Sequence, residues 1–181
     1  MNDMIFCPER EGFVRVDPYE LADFNPFSKI GKEWMLITAR DEKNGANAMT
    51  ASWGGVGVLW NKPVAFCFVR PQRYTFELTE KQDTVSLCFL GEEYRRTHKI
   101  FGSESGRDTA KISKAGLSLK FDGNTPIITE SDTVLIGRKL YCDYLYDGSF
   151  TDVTVRDKCY PEKDYHRIYV YEITDAFVKS H

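Results

Sequence analysis

Two arginines and a threonine stand close together where a strand is expected to pass into a helix. Arg70, Arg73 and Thr75 lie within six positions of one another, and the first turn of a helix exposes backbone N–H groups that have no partner. A phosphate at this corner would gain two guanidinium donors, one hydroxyl and the positive end of the helix dipole. The alternative is that the arginines pair with surface acids such as Glu77 or Glu80, and that Thr75 only caps the helix.

A second group of candidate residues lies in the stretch 47–53, where small and hydroxyl-bearing side chains recur. Such a strand lets a planar ring approach the backbone, because little side-chain bulk stands in the way. It can offer N–H groups and hydroxyls to the polar edge of a ring such as isoalloxazine, while Trp53 or Met49 covers an apolar part. The alternative is an ordinary strand with Met49, Ala51 and Trp53 facing the core and with Thr50 and Ser52 on the other face.

A serine-containing loop is predicted to enter a helix further along the chain. Ser103 and Ser105 lie in this loop, and Lys111 lies about one turn into the predicted helix. Lys111 could supply positive charge near a ring carbonyl or ribityl chain, which would favour a reduced, anionic flavin. The alternative is that Asp108 caps the helix and that Lys111 is solvated on its surface.

The remaining reactive side chains do not form a recognisable catalytic motif. The three histidines are far apart and show neither HExxH nor HxH spacing, so we expect no metal site. His166 precedes the last predicted strand and could reach a ligand, or it could be a polar group at the rim or in the core. No GxSxG nucleophile motif occurs, and Cys67, within an apolar strand, is expected to be a small buried hydrophobic residue.

The elements that must position these residues are mostly strands. An Asn-Gly turn within 41–45 predicts a hairpin, and Asp17 with Pro18 predicts a short helical turn. Gly54 and Gly55 are expected to weaken any regular strand there and to allow a close approach of backbone to ligand. Many strands, few short helices and no βαβ alternation favour a closed or nearly closed antiparallel barrel with helices outside it. The predicted strands are 34–39, 46–53, 64–69 (buried on both sides), 84–90, 117–121, 127–128, 133–145 and 167–173 with a tail at 176–178. The predicted helices are 76–82 with Thr75 as the N-cap, 92–100 and 108–115.

The composition narrows the class of protein further. A length of 181 residues fits one domain, and no linker or repeat divides it. The net charge of −3 gives no general attraction to nucleic acid or to anionic membranes, so neither is expected as a partner. Five widely spaced cysteines without a CxxC indicate reduced thiols, and the N-terminus resembles no secretion signal. We therefore expect a cytoplasmic protein.

The order of motifs resembles the flavin reductase-like, FMN-binding split-barrel family, and within it the flavoredoxin-like branch. The likeness covers most of the chain from about Trp34 onward, as one domain over 1–181 with a peripheral N-terminal segment over 1–30. The match is poorer over 1–30 and over 147–163, which looks like an insertion or a branch-specific loop. The motifs that carry the resemblance are WMLITA (34–39), NAMTASWGGVG (47–57), KPVAFCFVRPQRYT (62–75), SGRDTAK (105–111) and YHRIYVYEI (165–173).

The resemblance implies a mainly β, Greek-key split barrel of a six-stranded type that forms a homodimer, with FMN in a groove lined by both subunits. It implies that the strand 47–53 meets the ring and ribityl chain and that Lys111 contacts the cofactor. In such proteins the flavin N5 accepts a hydride, and the protein positions the ring and tunes its potential. The cofactor-binding residues expected on these grounds are Asn47, Met49, Thr50, Ala51, Ser52, Trp53, Arg70, Arg73, Thr75, Ser105, Lys111 and His166.

The leading functional hypothesis is an FMN-dependent oxidoreductase that takes electrons from NAD(P)H and passes them to free flavin or another acceptor. One alternative is a flavoredoxin-like electron carrier that a partner protein reduces. Another is a ligand-binding module without catalysis. No catalytic acid or base is required by the leading hypothesis, because the flavin carries the reaction.

Overall fold

The computed structural model describes residues 4–180 of the chain, and strands predominate in it. The strands are β1 (Phe13–Val16), β2 (Met35–Asp41), β3 (Gly45–Ala51), β4 (Gly54–Leu59), β5 (Lys62–Val69), β6 (Thr84–Leu90), β7 (Leu119–Asp122), β8 (Thr125–Ile128), β9 (Ser131–Tyr144) and β10 (Arg167–Lys179). The helices are α1 (Pro26–Ser28), α2 (Tyr74–Lys81), α3 (Thr97–Ser103), α4 (Lys111–Lys114) and α5 (Val153–Cys159). Shorter 3₁₀ turns lie at Pro18–Glu20, Glu92–Tyr94 and Asp147–Ser149, and a π-helical turn spans Lys29–Glu33.

The main sheet is antiparallel and runs in the order β3-β2-β6-β9-β10-β5-β4, while β1 pairs with β10 outside this path. Strands β3 and β4 therefore lie at opposite ends of the path, although only Ser52 and Trp53 separate them in the chain. Two residues can bridge only a short gap, so the sheet must curl until its two ends nearly meet. The prediction of a mainly β, nearly closed antiparallel barrel with a few short helices is thus confirmed.

Burial follows the two faces of the curled sheet. Met35, Ile37 and Ala39 of β2 point into one hydrophobic cluster together with Tyr169 and Tyr171 of β10. Residues on the other face of the same strands join a second hydrophobic cluster, together with residues of α3, α4 and the β7–β8 hairpin. Helices and the hairpin thereby cover the outer face of the barrel, so β2 is buried on both sides.

The strand-to-helix junction differs from its prediction at one position. Arg73 occupies the N-cap position of α2, and Thr75 lies in the first turn as a fully buried residue. The prediction that Thr75 is the N-cap is therefore wrong. Its hydroxyl accepts a hydrogen bond from Asn47 instead, because the side chain faces β3 rather than the helix end.

Several other local predictions also needed correction. Gly54 begins a regular strand in which a side chain would meet the carbonyl oxygen of Phe66 at 2.6 Å, so the close approach is to β5 rather than to a ligand. Strand β5 is buried on alternate residues, not on both sides. Helix α3 extends to Ser103, and α4 starts only at Lys111 without a side-chain cap, so Asp108 does not cap it.

The N-terminal segment packs against the barrel through β1. Phe13 is buried, and β1 pairs with the end of β10. The predicted turn after Asp17 is confirmed, since the Asp17 carboxylate accepts a hydrogen bond from the N–H of Tyr19. Within residues 4–180, no helix combines the length and apolar character needed to cross a membrane.

Candidate functional site

A cavity of about 700 Å³ lies where the two ends of the sheet approach each other. Its volume falls within the range of pockets that bind small molecules. The end of β3, the β3–β4 link, the end of β5, one face of α3 and the residue before β10 contribute to its wall. The lining residues are Trp34, Met49, Thr50, Ala51, Ser52, Trp53, Phe68, Arg70, Arg73, His98, Lys99, Gly102, Ser103 and His166.

The cavity brings together eight of the twelve residues predicted to bind a cofactor. They come from three separate parts of the sequence, and the fold joins them at one place. These eight are Met49, Thr50, Ala51, Ser52, Trp53, Arg70, Arg73 and His166, whereas Asn47, Thr75, Ser105 and Lys111 do not line the cavity.

Strand β3 and the link to β4 form one wall of the cavity. Met49 and Ala51 belong to the barrel core and also reach the cavity, whereas Ser52 and Trp53 are exposed. The interpretation of Trp53 as a core residue is therefore wrong. Thr50 faces α3, where its hydroxyl donates to the backbone carbonyl of His98 at 2.8 Å.

Arg70 is held in place by three neighbouring groups. It pairs with the carboxylate of Asp164, donates to the carbonyl of Cys159 at 2.9 Å and lies 5.2 Å from the ring centre of Tyr160. Its positive charge is therefore largely compensated by Asp164. The predicted pairing of the arginines with Glu77 or Glu80 is wrong, because Arg107 and Arg167 take those two acids.

Arg73 has a different environment. Its guanidinium donates to the carbonyls of Phe101 and Gly102, at 2.8 and 2.7 Å, at the C-terminal end of α3. Neutral carbonyls fix its position without cancelling its charge, and within residues 4–180 it forms no ion pair with a carboxylate. Burial lowers the pKa of Arg73.

Lys111 lies behind Arg73 rather than in the cavity wall. It is 4% exposed, and its Nζ is 5.6 Å from the ring centre of Phe101. Burial lowers its pKa to about 8, and the charge of Arg73 contributes to that shift. Glu104, which opposes the shift, is itself paired with Lys114 at 2.7 Å. The interpretation of Lys111 as a solvated surface residue is therefore wrong, and a region of excess positive charge lies at this end of the cavity.

Asn47 and Thr75 form a buried support under the same corner. The Asn47 amide donates to the Thr75 hydroxyl at 2.8 Å. The 105–111 loop packs directly on this pair, since a side chain at Gly106 would meet the Asn47 side-chain oxygen at 2.1 Å. Ser105, which accepts from the N–H of Arg107 at 3.2 Å, shapes the loop. Contact of Asn47, Thr75 and Ser105 with a ligand stays a prediction.

His166 also lies in the cavity wall, next to Trp53. The two ring centres are 5.1 Å apart, and the Nδ1 of His166 is 2.8 Å from the hydroxyl of Tyr160. Burial, with a smaller contribution from the charge of Arg70, lowers the pKa of His166 to about 4. The imidazole is therefore neutral at pH 7.

Sequence reasoning missed five lining residues: Trp34, Phe68, His98, Lys99 and Gly102, whereas the lining residue Ser103 belongs to the predicted serine-containing loop. His98, Lys99, Gly102 and Ser103 recur at positions i, i+1, i+4 and i+5, which is one face of a helix. This pattern is present in the sequence, but it was overlooked because the predicted helix ended at residue 100. Phe68 could have been found from the alternation of β5, whereas nothing in the sequence indicated that Trp34 adopts a φ of 73° after a π-helical turn.

Comparison with solved structures finds this fold in other proteins. Flavoredoxin from Methanosarcina acetivorans is 20% identical with a TM-score of 0.63, over 82% of this chain and 69% of that chain. Flavoredoxin of Desulfovibrio vulgaris is 17% identical with a TM-score of 0.64, over 81% and 69%. The FMN-binding domain of a flavin reductases-like enzyme from Shewanella baltica is 14% identical with a TM-score of 0.65, over 92% and 77%.

These similarities are low in sequence and establish the fold. No significant match is found among curated proteins. The family model described as flavin reductase like domain matches residues 27–181, which is most of the chain. The protein therefore belongs to the flavin reductase-like domain family.

Proposed function

We propose that this protein is an FMN-binding oxidoreductase of the flavin reductase type, which passes electrons from NAD(P)H through FMN to free flavin or another acceptor. The observation that carries the proposal is the cavity that joins the β3 wall to Arg70 and Arg73. Family membership supports the same conclusion.

The apolar part of the cavity suits a flat conjugated ring. Trp34, Trp53 and Phe68 line it together with Met49, and aromatic side chains and thioethers pack well against planar ligands. Thr50 and Ser52 add hydroxyls at the same wall. A ring bound here would be partly covered by the protein. It would remain accessible to a second molecule, because Trp53 in the cavity wall is 46% exposed and the cavity is therefore open on that side.

The cationic end suits the phosphate of FMN. Arg73 is fixed by neutral carbonyls, and Lys111 adds positive charge behind it. A phosphate could compensate both charges, whereas Arg70 already has Asp164 as its partner. We therefore assign the main phosphate contact to Arg73, with Lys111 as a longer-range charge.

When bound, FMN would supply a ring that accepts a hydride and returns electrons singly or in pairs. The protein's own residues bind the phosphate, hold the ring against β3 and keep water from the apolar wall. They require no acidic or basic catalytic residue. Both cavity histidines are neutral at pH 7, since burial lowers each pKa to about 4.

Titration of the purified protein with FMN and with riboflavin tests the proposal. The wild type should bind FMN more tightly, and Arg73→Ala should weaken FMN binding about tenfold or more while riboflavin binding changes little. Arg15→Ala is the matched control, because Arg15 is an exposed arginine of β1 paired with Asp175. A protein that neither contains nor binds FMN contradicts the proposal. Equal effects of Arg73→Ala on both flavins contradict the phosphate assignment alone.

The electron donor is tested separately. Anaerobic mixing of the FMN-loaded protein with NADPH or NADH should bleach the flavin absorbance within the time of a stopped-flow experiment. If neither nucleotide bleaches it while dithionite does, the nicotinamide part of the proposal fails and a protein donor, as in an electron carrier, takes its place.

We further propose that two copies of the chain associate through the exposed β4 edge. Val58 and Trp60 are 64% and 56% exposed, and Trp60 contacts the half-exposed Tyr141. Apolar side chains grouped at a sheet edge commonly mark an interaction surface. Sedimentation velocity should show a dimer for the wild type and a monomer for Val58→Lys. A monomeric wild type at all concentrations contradicts this proposal.

A further inference from the structure

The two histidines that line the cavity have neighbours that can fix the position of their ring protons. His98 and His166 are 2% and 7% exposed, and each has its Nδ1 within hydrogen-bond distance of one hydroxyl. The hydroxyl beside His98 is that of Thr50, and the one beside His166 is that of Tyr160. These two hydroxyls differ in what they do with their proton.

The Thr50 hydroxyl proton is already engaged. It is donated to the backbone carbonyl of His98 at 2.8 Å, whereas the Nδ1 of His98 is 3.2 Å from the same oxygen. A hydroxyl has one proton to donate and lone pairs to accept with. The contact at 3.2 Å is therefore a hydrogen bond donated by Nδ1–H, which leaves Nε2 of His98 as a bare acceptor.

That acceptor is buried and has no hydrogen-bond partner among the described residues. Burial lowers the pKa of His98 to about 4, with a further contribution from the charge of Arg95. The ring is therefore neutral rather than doubly protonated. A buried acceptor without a partner costs free energy, and because His98 lines the cavity, a ligand N–H can relieve that cost.

The situation at His166 is the reverse. Burial raises the pKa of Tyr160, so its phenol keeps its proton at neutral pH. Among the described residues, the hydroxyl of Tyr160 has the Nδ1 of His166 as its hydrogen-bond partner at 2.8 Å. The phenol donates to Nδ1, and the ring proton of the neutral His166 must then be on Nε2.

We propose that Thr50 and Tyr160 are positioning residues that fix the cavity histidines in opposite neutral tautomers, so that the cavity offers an acceptor at His98 and an N–H donor at His166. Such a pair selects a planar heteroaromatic ligand that presents an N–H to His98 and a lone pair to His166. The part of this inference that names a flavin as the ligand rests on the proposed function. The imide N–H of a flavin ring is the group that fits His98.

Long-range ¹H–¹⁵N correlation spectra of the histidine side chains test the tautomers without reference to any ligand. At pH 7 we expect His98 with protonated Nδ1 and His166 with protonated Nε2. Thr50→Val should convert only the His98 pattern to a mixture, and Tyr160→Phe only that of His166. Thr50→Ser, which keeps the hydroxyl, should restore the wild-type pattern. Two histidines in the same tautomer, a charged ring, or patterns unmoved by these variants overturn the proposal.

The ligand is tested with FMN and with 3-methyl-FMN, which lacks the imide N–H. The wild type should bind FMN about tenfold or more tightly than the methylated compound, and His98→Leu should bind the two equally. Equal binding by the wild type overturns the contact with His98. If neither flavin binds although the tautomers are opposed, the tautomer assignment stands and the flavin ligand is overturned.

Discussion

The side-chain amide of Asn47 donates a hydrogen bond to the hydroxyl of Thr75 at 2.8 Å, and both residues are almost completely buried. Asn47 belongs to β3, and Thr75 belongs to the first turn of α2. One hydrogen bond thus connects the strand that forms the cavity wall to the helix that follows Arg73. The relative position of the proposed ring-binding and phosphate-binding parts depends on this connection.

Replacing Asn47 with Ala should destabilise the protein by about 1–3 kcal/mol, because the Thr75 hydroxyl loses its buried partner. Urea unfolding measures this change in the free energy of unfolding. Asn124→Ala is the matched control, since Asn124 is an exposed residue of the turn between β7 and β8 and should change stability little. If the Asn47 variant is as stable as its control, the hydrogen bond between Asn47 and Thr75 does not contribute to stability.

Gly106→Ala should perturb the same corner from the opposite side. An added methyl group would lie 2.1 Å from the Asn47 side-chain oxygen and 2.8 Å from a ring carbon of Tyr74. We expect a loss of about 1–3 kcal/mol from overpacking, together with weaker FMN binding. Gly148→Ala provides the comparison, because a methyl group at Gly148 meets nothing within 4 Å. Similar unfolding midpoints for both variants would argue against close packing of the loop.

Features that depend on neighbouring residues could be predicted from the sequence, whereas features that depend on residues distant in the chain could not. Strand β6 was predicted with its observed bounds because five of its seven residues are apolar and the chain becomes polar or flexible on both sides, at Asp83 and Gly91. The role of Arg70 could not be predicted, since its partners Asp164 and Cys159 lie about ninety positions away and only the paired strands β5 and β10 bring them close. His98 was missed for a similar reason, because its importance arises from Thr50 on another element.

The five cysteines should react at two distinct rates. Cys67 and Cys88 are completely buried, and burial raises the pKa of Cys67 to about 12. Since the thiolate is the reactive form, both should resist a thiol reagent in the native state, whereas the partly exposed Cys7, Cys142 and Cys159 should react. Counting modified sites by intact-protein and peptide mass spectrometry gives the result, and all five should react in denaturant. Rapid native labelling of Cys67 would contradict the observed packing.

The free energy of unfolding should decrease as the pH is lowered from about 6.5 to about 4, because of the two cavity histidines. Burial lowers the pKa of His98 and of His166 to about 4, from an ordinary value of 6.5. Within this window the unfolded chain binds protons at these sites and the native protein does not, so the free energy of unfolding decreases as the pH falls. Each histidine can contribute up to about 3 kcal/mol, and the full contribution is present above pH 6.5.

Urea unfolding of the wild type and of His98→Gln at pH 6.5, 5.5 and 4.5 measures this dependence. Gln is polar and does not titrate, so the variant should lose about half of the wild-type pH dependence whatever its absolute stability. Paired carboxylates such as Asp164, whose pKa is lowered, add their own loss mainly below this range, and that loss is common to both proteins. If the two curves run parallel from pH 6.5 to 4.5, His98 is protonated equally well in the folded and unfolded states, and its neutral, buried character is refuted.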